Sequence, residues 1–424
     1  MRCLVFVICI PSLIISCSLA SAQENNQPAT EPEYWRYPLI DAESNFNLAE
    51  FSLSSKDLPE AGDQKWSLTM STLAGGKQDG VRLISYASES LSFSLLPTRG
   101  MSIYEVRSGD LRLGWDSPVK EHVHPKYINL DSRGGLGWLE GFNEWMVRCG
   151  LEFAGHPGLD EFVTNTGEVG QMDLTLHGKI GNIPASQVEV LVEKQPPHRV
   201  HIRGVVHERL FFGPKLKLTA DLSTVPGEYT LRVRDEVENL GASPQEMQLI
   251  YHTNYGANLL EKGAKVIAPG NMISPMNDHA AQAIETWDTY QEPTPGFIEE
   301  VFLIHPYANA EGQTGVLLQN ANADRGASIH WNIKELPYLT VWKNTVAEAD
   351  GYVTGLEPAT GFPYNRQVER EAGRVPILEP GASRTFTLNY RLHTDAESVQ
   401  QATQKINAYQ GARPTEVLDN PLTR

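Results

Sequence analysis

Two polar residues far apart in the chain are of the types needed to move protons in opposite directions on one substrate. They are His252, in Tyr251-His252-Thr253-Asn254-Tyr255-Gly256, and Glu357, in Gly355-Leu356-Glu357-Pro358-Ala359-Thr360-Gly361. Opening the ring of a cyclic sugar requires such a pair. A base takes the anomeric hydroxyl proton, an acid protonates the ring oxygen, and the open aldehyde rotates and recloses on its other face. A carboxylate and an imidazolium suit these roles near neutral pH once their surroundings bring the two proton affinities together. By residue type alone, a hydrogen-bonded structural His and a solvated Glu at a strand end are the commoner readings.

The elements that must position the pair read as strands. His252 follows the apolar run Met247-Gln248-Leu249-Ile250-Tyr251, expected to be a buried strand ending in a polar, glycine-bearing turn. Glu357 follows Tyr352-Val353-Thr354-Gly355, expected to be a strand that delivers it to a cleft. Elsewhere, apolar residues alternate with polar ones: Leu91, Phe93 and Leu95; Val188, Val190 and Val192; Leu216, Leu218, Ala220 and Leu222; Tyr229, Leu231 and Val233; Phe386, Leu388, Tyr390 and Leu392. Period-two spacing with one polar face marks antiparallel sheet packed on one side. Turn chemistry such as Val225-Pro226-Gly227-Glu228 and Glu379-Pro380-Gly381 separates the runs. The fold class is mainly β, a large sandwich of antiparallel sheets with few short helices. One longer helix is expected at the C-terminus, with a Thr394/Glu397 capping box, an apolar face of Val399, Ala402, Ile406 and Tyr409, and a stop at Gly411.

The chain has 424 residues, ample for a sizeable core, and nothing resembling a linker divides 36–411, which reads as one domain followed by a tail at 412–424. Arg2, the apolar run Leu4 to Ile15 and Ala20-Ser21-Ala22 fit a signal peptide over 1–22. This implies export to the periplasm or beyond, with no membrane span. Residues 23–35 are polar and Pro/Glu-rich and read as a disordered mature N-terminus. Ile14-Ile15-Ser16-Cys17 loosely resembles a lipoprotein processing site, a competing route that would leave a lipid anchor at Cys17. Removing 1–22 takes away one Arg and no acid, leaving 34 basic against 52 acidic residues and a net charge of −18. That surface repels nucleic acid and anionic membrane and favours a neutral or locally neutralised small molecule. Only Cys149 lies beyond the leader, so no intramolecular disulfide framework is available.

Several segments together resemble the aldose 1-epimerases, or galactose mutarotases. Leu174-Thr175-Leu176-His177-Gly178-Lys179-Ile180-Gly181-Asn182 is similar to their His-Gly segment, and Tyr251-His252-Thr253-Asn254-Tyr255-Gly256 to their later Asn-His-x-Tyr-Phe-Asn segment. Gly355-Leu356-Glu357-Pro358 resembles the strand carrying their basic Glu, and Leu378-Glu379-Pro380-Gly381 the turn before their last strand. Arg99-Gly100-Met101, Leu113-Gly114-Trp115-Asp116-Ser117-Pro118 and Arg148-Cys149-Gly150-Leu151 are similar to an uncharacterised aldose-epimerase-like subgroup. The resemblance spans roughly residues 80 to 395. It implies a galactose-mutarotase-like β-supersandwich with an open sugar cleft, His177 binding the sugar, His252 as acid and Glu357 as base. It also implies that Arg99 holds sugar hydroxyls, where a planar, always-charged fork is well suited. The chain departs from the pattern in having Tyr251 before the His and Gly256 after the aromatic. The usual acidic sugar ligand between His252 and Glu357 has no clear equivalent, with Glu300 and Asp350 as the nearest candidates.

Other residues are candidates for the same cleft. Trp342 precedes the Glu357 strand and can stack on a pyranose face, Arg366 follows it, and His305 ends the apolar run Phe302-Leu303-Ile304. His122 and His124 have the i, i+2 spacing of a metal clasp on a strand, although a polar loop with incidental histidines is the simpler reading. No nucleophile elbow, phosphate loop or dinucleotide fingerprint is present, so no cofactor or metal is expected. The residues point to an isomerase acting on a small carbohydrate. The alternatives are a binding protein of the same fold without turnover and, further off, a polysaccharide lyase or glycoside hydrolase relative.

Overall fold

The alternating segments fold as antiparallel strands. Phe93 and Leu95 lie buried in the strand Ser92–Leu96, Val188, Val190 and Val192 in Gln187–Glu193, and Leu216, Leu218, Ala220 and Leu222 in Lys215–Thr224. The structure, a computed structural model, describes residues 33–422. The expected signal peptide, Cys17 and nearly all of the expected disordered N-terminus therefore lie outside the described residues. Its last two residues do not fit that expectation. Tyr34 and Trp35 already belong to the first strand, Tyr34–Asp41, which pairs antiparallel with Gln187–Glu193.

Two large sheets, of 10 and 13 strands, hold most of the strand residues among those described. Their inner faces share one apolar core, to which the first sheet contributes residues such as Leu218, Val233 and Leu388 and the second Ile103, Leu249 and Tyr251. Burial of this apolar surface is the main force holding the sheets face to face. Among the described residues, strand-to-strand pairing in the two sheets is antiparallel apart from Met272–Ile273, which runs parallel to Glu416–Val417, so part of the C-terminal tail is tied into the second sheet. The C-terminal helix, Ala396–Gln410, buries Val399, Ala402, Ile406 and Tyr409, the four residues its periodicity selects. Its cap is Asp395 rather than Thr394. Asp395 has an extended backbone, and its carboxylate accepts from Ser398 N at 2.7 Å. Among the described residues, no helix is long and apolar enough to cross a membrane.

The candidate cleft lies on the outer face of the second sheet. Here Glu300–Pro306, Tyr338–Asn344, Val353–Ala359, Gln248–Tyr255 and Met146–Leu151 are consecutive neighbours. Alternation along Gln248–Tyr255 sends Leu249, Tyr251 and Tyr255 into the inter-sheet core. Ile250 goes the other way, to a second cluster with Trp138, Phe142, Val147 and Cys149. His252 has the parity of Ile250 and so belongs to the outer face.

Beneath that face sits a buried ionic hub. Arg148 donates to Asp235 through Nε (2.5 Å) and Nη2 (2.9 Å), and the Tyr251 hydroxyl donates to the same carboxylate at 2.8 Å. Arg148, Asp235 and Tyr251 are at most 1% exposed. The arginine of the Arg-Cys-Gly-Leu segment thus joins the two sheets, and Met101 O takes its remaining nitrogen at 2.7 Å.

Candidate active site

Strand register brings the acid and base together. Ile250 pairs with Ala359 and Thr253 with Leu356, which sets His252 directly opposite Glu357. On its other side Glu357 pairs with Thr340, and His252 pairs with Val147. One row across the sheet therefore reads Val147, His252, Glu357, Thr340. In the adjacent row, Asn254 pairs with Gly355 and Gly355 with Trp342. Gly355 leaves the open space between them: a Cβ there would lie 2.7 Å from Glu357 Oε1 and 3.3 Å from His252 Cε1.

The catalytic candidates are in direct contact, His252 Nε2 lying 3.2 Å from Glu357 Oε1. The other ring nitrogen, Nδ1, lies 2.8 Å from Asn254 Oδ1. Asn254 Nδ2 donates to Glu144 O at 3.0 Å, so its amide oxygen is the atom facing the imidazole. His252 Nδ1 is then the donor, and in the neutral ring Nε2 offers a lone pair to Glu357. Burial drives both groups toward neutrality, lowering His252 well below its ordinary value and raising Glu357 to about 8, with the Glu299 carboxylate adding to the second shift. At pH 7 the pair holds one proton between its two facing atoms.

The pair floors a cavity of about 380 Å³, within the range of small-molecule sites. Trp138, Phe142 and Trp342 wall it, their ring centroids 6.0, 5.3 and 5.4 Å from that of His252. His177 closes another side, its ring 5.2 Å from His252. Its Nδ1 donates to Ala154 O at 3.0 Å, and burial lowers its pKa to about 4, so Nε2 is an acceptor. Leu136, Leu139, His156 and Glu299 form the exposed rim.

His177 reaches this position through an unusual backbone. It has φ +59° and Gly178 follows with φ +70°. Hydrogen bonds from His177 N to Gly155 O, from Gly150 N to His177 O and from Lys179 N to Gly150 O clamp the turn. Only glycine fits at 178, because a Cβ would lie 2.1 Å from Phe153 O and 2.4 Å from Gly150 O. Gly178→Ala is therefore expected to lower stability by at least ~2 kcal/mol. A denaturant midpoint unchanged from wild type would show that the turn is not constrained in this way.

Of the residues singled out from the sequence, His252, Glu357, His177 and Trp342 converge on the cavity. Arg99 does not line it. Its guanidinium is 1% exposed and bonds Glu144 (3.0 Å), Asn182 (2.5 Å) and Gly141 O (3.0 Å). Because Glu144 O in turn holds Asn254, Arg99 supports the site from behind and has no fork left for a sugar. Arg366 is likewise buried, with Nε 2.5 Å from Asp160 Oδ2 and Nη1 3.2 Å from Glu152 O. His305 lies outside the lining, edge-on to Tyr338 and Phe362 at 5.2 and 5.3 Å. His122 packs edge-on against Tyr104 and His124 accepts from Lys126 N, so the two make separate contacts. Neither candidate acidic ligand lines the cavity: Glu300 pairs with Lys343 at 3.2 Å, and Asp350 is exposed in the turn Glu348–Asp350.

Among the lining residues not singled out from the sequence, Glu299 and Thr340 carry polar groups that bear on the site. Glu299 accepts from Trp342 Nε1 at 2.8 Å and so sets the angle of that wall. It is one position from Glu300, and alternation turns the two to opposite sides. Thr340 is 1% exposed, and its hydroxyl has no hydrogen-bond partner among the described residues. A buried, unpaired hydroxyl beside Glu357 is a ready contact for a ligand. The Leu339-Thr340-Val341-Trp342 alternation placed Thr340 on the Trp342 face, a signal available in the sequence.

Residues 78–392 match the family described as a domain of unknown function, DUF4432. The chain is similar to a candidate aldose 1-epimerase from Klebsiella pneumoniae subsp. pneumoniae, at 41% identity and a TM-score of 0.87, covering 92% of this chain and 100% of that one. A galactose mutarotase-like protein from Clostridium acetobutylicum shares the fold at 13% identity and a TM-score of 0.52, covering 77% of this chain and 98% of that one. No match was found among curated proteins. With the fold, the His and Glu motifs and these matches in agreement, the chain belongs to the DUF4432 family within the aldose 1-epimerase and galactose mutarotase-like superfamily.

Proposed function

We propose that the protein interconverts the anomers of a sugar or sugar derivative by acid–base ring opening. The observation that carries this reading is the 3.2 Å contact between His252 Nε2 and Glu357 Oε1 on the floor of an aromatic-walled cavity. Moving the shared proton from Glu357 to Nε2 gives a carboxylate beside an imidazolium. A bound pyranose would favour that form, since its anomeric O–H donates to the carboxylate and its ring oxygen accepts from the imidazolium. Glu357 then takes the anomeric proton and His252 protonates the ring oxygen as the bond from C1 to that oxygen breaks. After rotation about C1–C2, the new hydroxyl attacks the other face of the aldehyde. His252 recovers its proton, Glu357 returns its own, and the net change is inversion at C1. Asn254 holds the imidazole in one tautomer throughout, and the His177 Nε2 acceptor and Thr340 hydroxyl are available to the remaining hydroxyls.

NMR saturation transfer between the α and β signals of common aldoses tests the reading. Wild-type protein should speed exchange for at least one sugar, and His252→Ala should slow that exchange by ~10²–10⁴-fold. No acceleration across a broad panel, with calorimetric binding that survives His252→Ala, would identify a binding protein instead. The pH profile adds a signature. Turnover requires one proton on the pair, so the rate should fall as pH rises through about 8, where Glu357 loses that proton. It should hold down through neutral pH, because His252 accepts a second proton only well below its ordinary range.

A further inference from the structure

Charge is unevenly supplied around this cavity. Two carboxyl groups face it, Glu357 on the floor and Glu299 on the rim, and no Arg or Lys is among its lining residues. Lys179, two positions from His177, pairs with Glu152 at 3.6 Å, and Lys343 and the two arginines singled out from the sequence are also committed elsewhere. Arg99 is held by Glu144, Arg366 by Asp160, and Lys343 by Glu300 and Thr286 O at 3.2 and 3.0 Å. Apart from His252, the lining histidines also favour the neutral ring, His177 through burial and His156, on the rim, through partial loss of hydration. Glu299 uses Oε2 to hold the Trp342 indole, and Oε1 has no hydrogen-bond partner among the described residues. A hydroxyl can donate to that oxygen, whereas a ligand carboxylate or phosphate can only be repelled by it.

Resting on the anomer-interconversion reading, we infer that Glu299 acts as a charge filter and that the site takes uncharged aldoses while rejecting sugar acids and sugar phosphates. The rejection has two sources. An anion entering the cavity loses hydration without meeting a cation, and it approaches a carboxylate on the rim. An uncharged sugar meets neither penalty. Its C–H faces pack on the aromatic walls, and its hydroxyls find His177, Thr340 and Glu299.

Calorimetric binding and anomer exchange, measured in parallel at pH 7, separate this inference from the reading beneath it. The probes are galactose and glucose against galacturonate and glucuronate, with wild-type protein, Glu299→Gln and Glu299→Asp. Wild-type protein should bind at least one neutral sugar at least about tenfold more tightly than its uronate. Glu299→Gln keeps an oxygen for the indole but removes the charge, and should narrow that ratio severalfold by admitting the uronate. Glu299→Asp should retain the discrimination. Neutral binding with no exchange would sink the catalytic reading and leave the filter standing. Exchange of a uronate at least as fast as of its neutral partner would overturn the filter alone. A ratio unaltered by Glu299→Gln would also overturn the role of Glu299, and no binding by any of the four sugars would overturn the filter for these substrates.

Discussion

Glu357→Gln should abolish anomer exchange and, at the same time, make the folded protein more stable in mild alkali. The first effect follows from removing the only group opposite His252 able to take a proton, a loss of ~10²–10⁴-fold or more. The second follows from linkage. Burial raises Glu357 from 4.5 to about 8, so between those values the folded protein holds a proton that the unfolded chain releases. Wild-type stability contributed by this group is intact below about pH 4.5 and falls as pH rises toward 8, by on the order of 4 kcal/mol. The amide introduced by the substitution cannot ionise, and it can donate to His252 Nε2 as the protonated carboxyl does. Denaturant midpoints at pH 5 and pH 8 should therefore differ less in the variant than in wild type. Some slope of the same sign should persist, because buried Glu208 is also raised, to about 7. Equal slopes in the two proteins would show that Glu357 is ionised in the resting site.

The second large effect should come from beneath the sheet. Asp235→Ala strands the Arg148 guanidinium and the Tyr251 hydroxyl in the inter-sheet core, with no other carboxylate to receive them. Removing one partner of a buried pair destabilises by ~3–5 kcal/mol. The double change Arg148→Met, Asp235→Leu should recover most of that loss, since well-packed apolar side chains avoid the desolvation of both charges. Urea midpoints of the single and double variants decide the matter. A single variant as stable as wild type would mean the hub contributes nothing to holding the sheets together.

The sheet architecture and the helix face were legible because alternation and 3.6-residue periodicity report burial directly. The buried Val399, Ala402, Ile406 and Tyr409 are an example. His177, His252 and Glu357 were legible for a different reason, the order of their motifs. Register then explains what order alone does not, namely why residues 105 apart in the chain stand opposite each other on neighbouring strands. The arginines were misread because residue type does not disclose a partner. Arg366 meets Asp160 across 206 positions, and no local pattern announces that pairing. Glu299 was missed by one residue because the following run Val301-Phe302-Leu303-Ile304 is apolar on both faces, so residue type does not reveal which of the two acids alternation turns to the cleft.

The division between strand and loop at this site has an evolutionary consequence. His252, Glu357 and Thr340 sit in the middle of paired strands whose opposite faces fill the core. A one-residue insertion there would turn the acid inward and a tyrosine outward, destroying chemistry and packing in a single step. Leu136, Leu139, His156 and Glu299 instead lie on connecting segments outside those strands. Lineages can lengthen, shorten or recharge these segments without disturbing the proton-transfer row. Diversification within the family should therefore be recorded as a constant floor beneath a changing rim, with new substrates acquired by exchanging the rim.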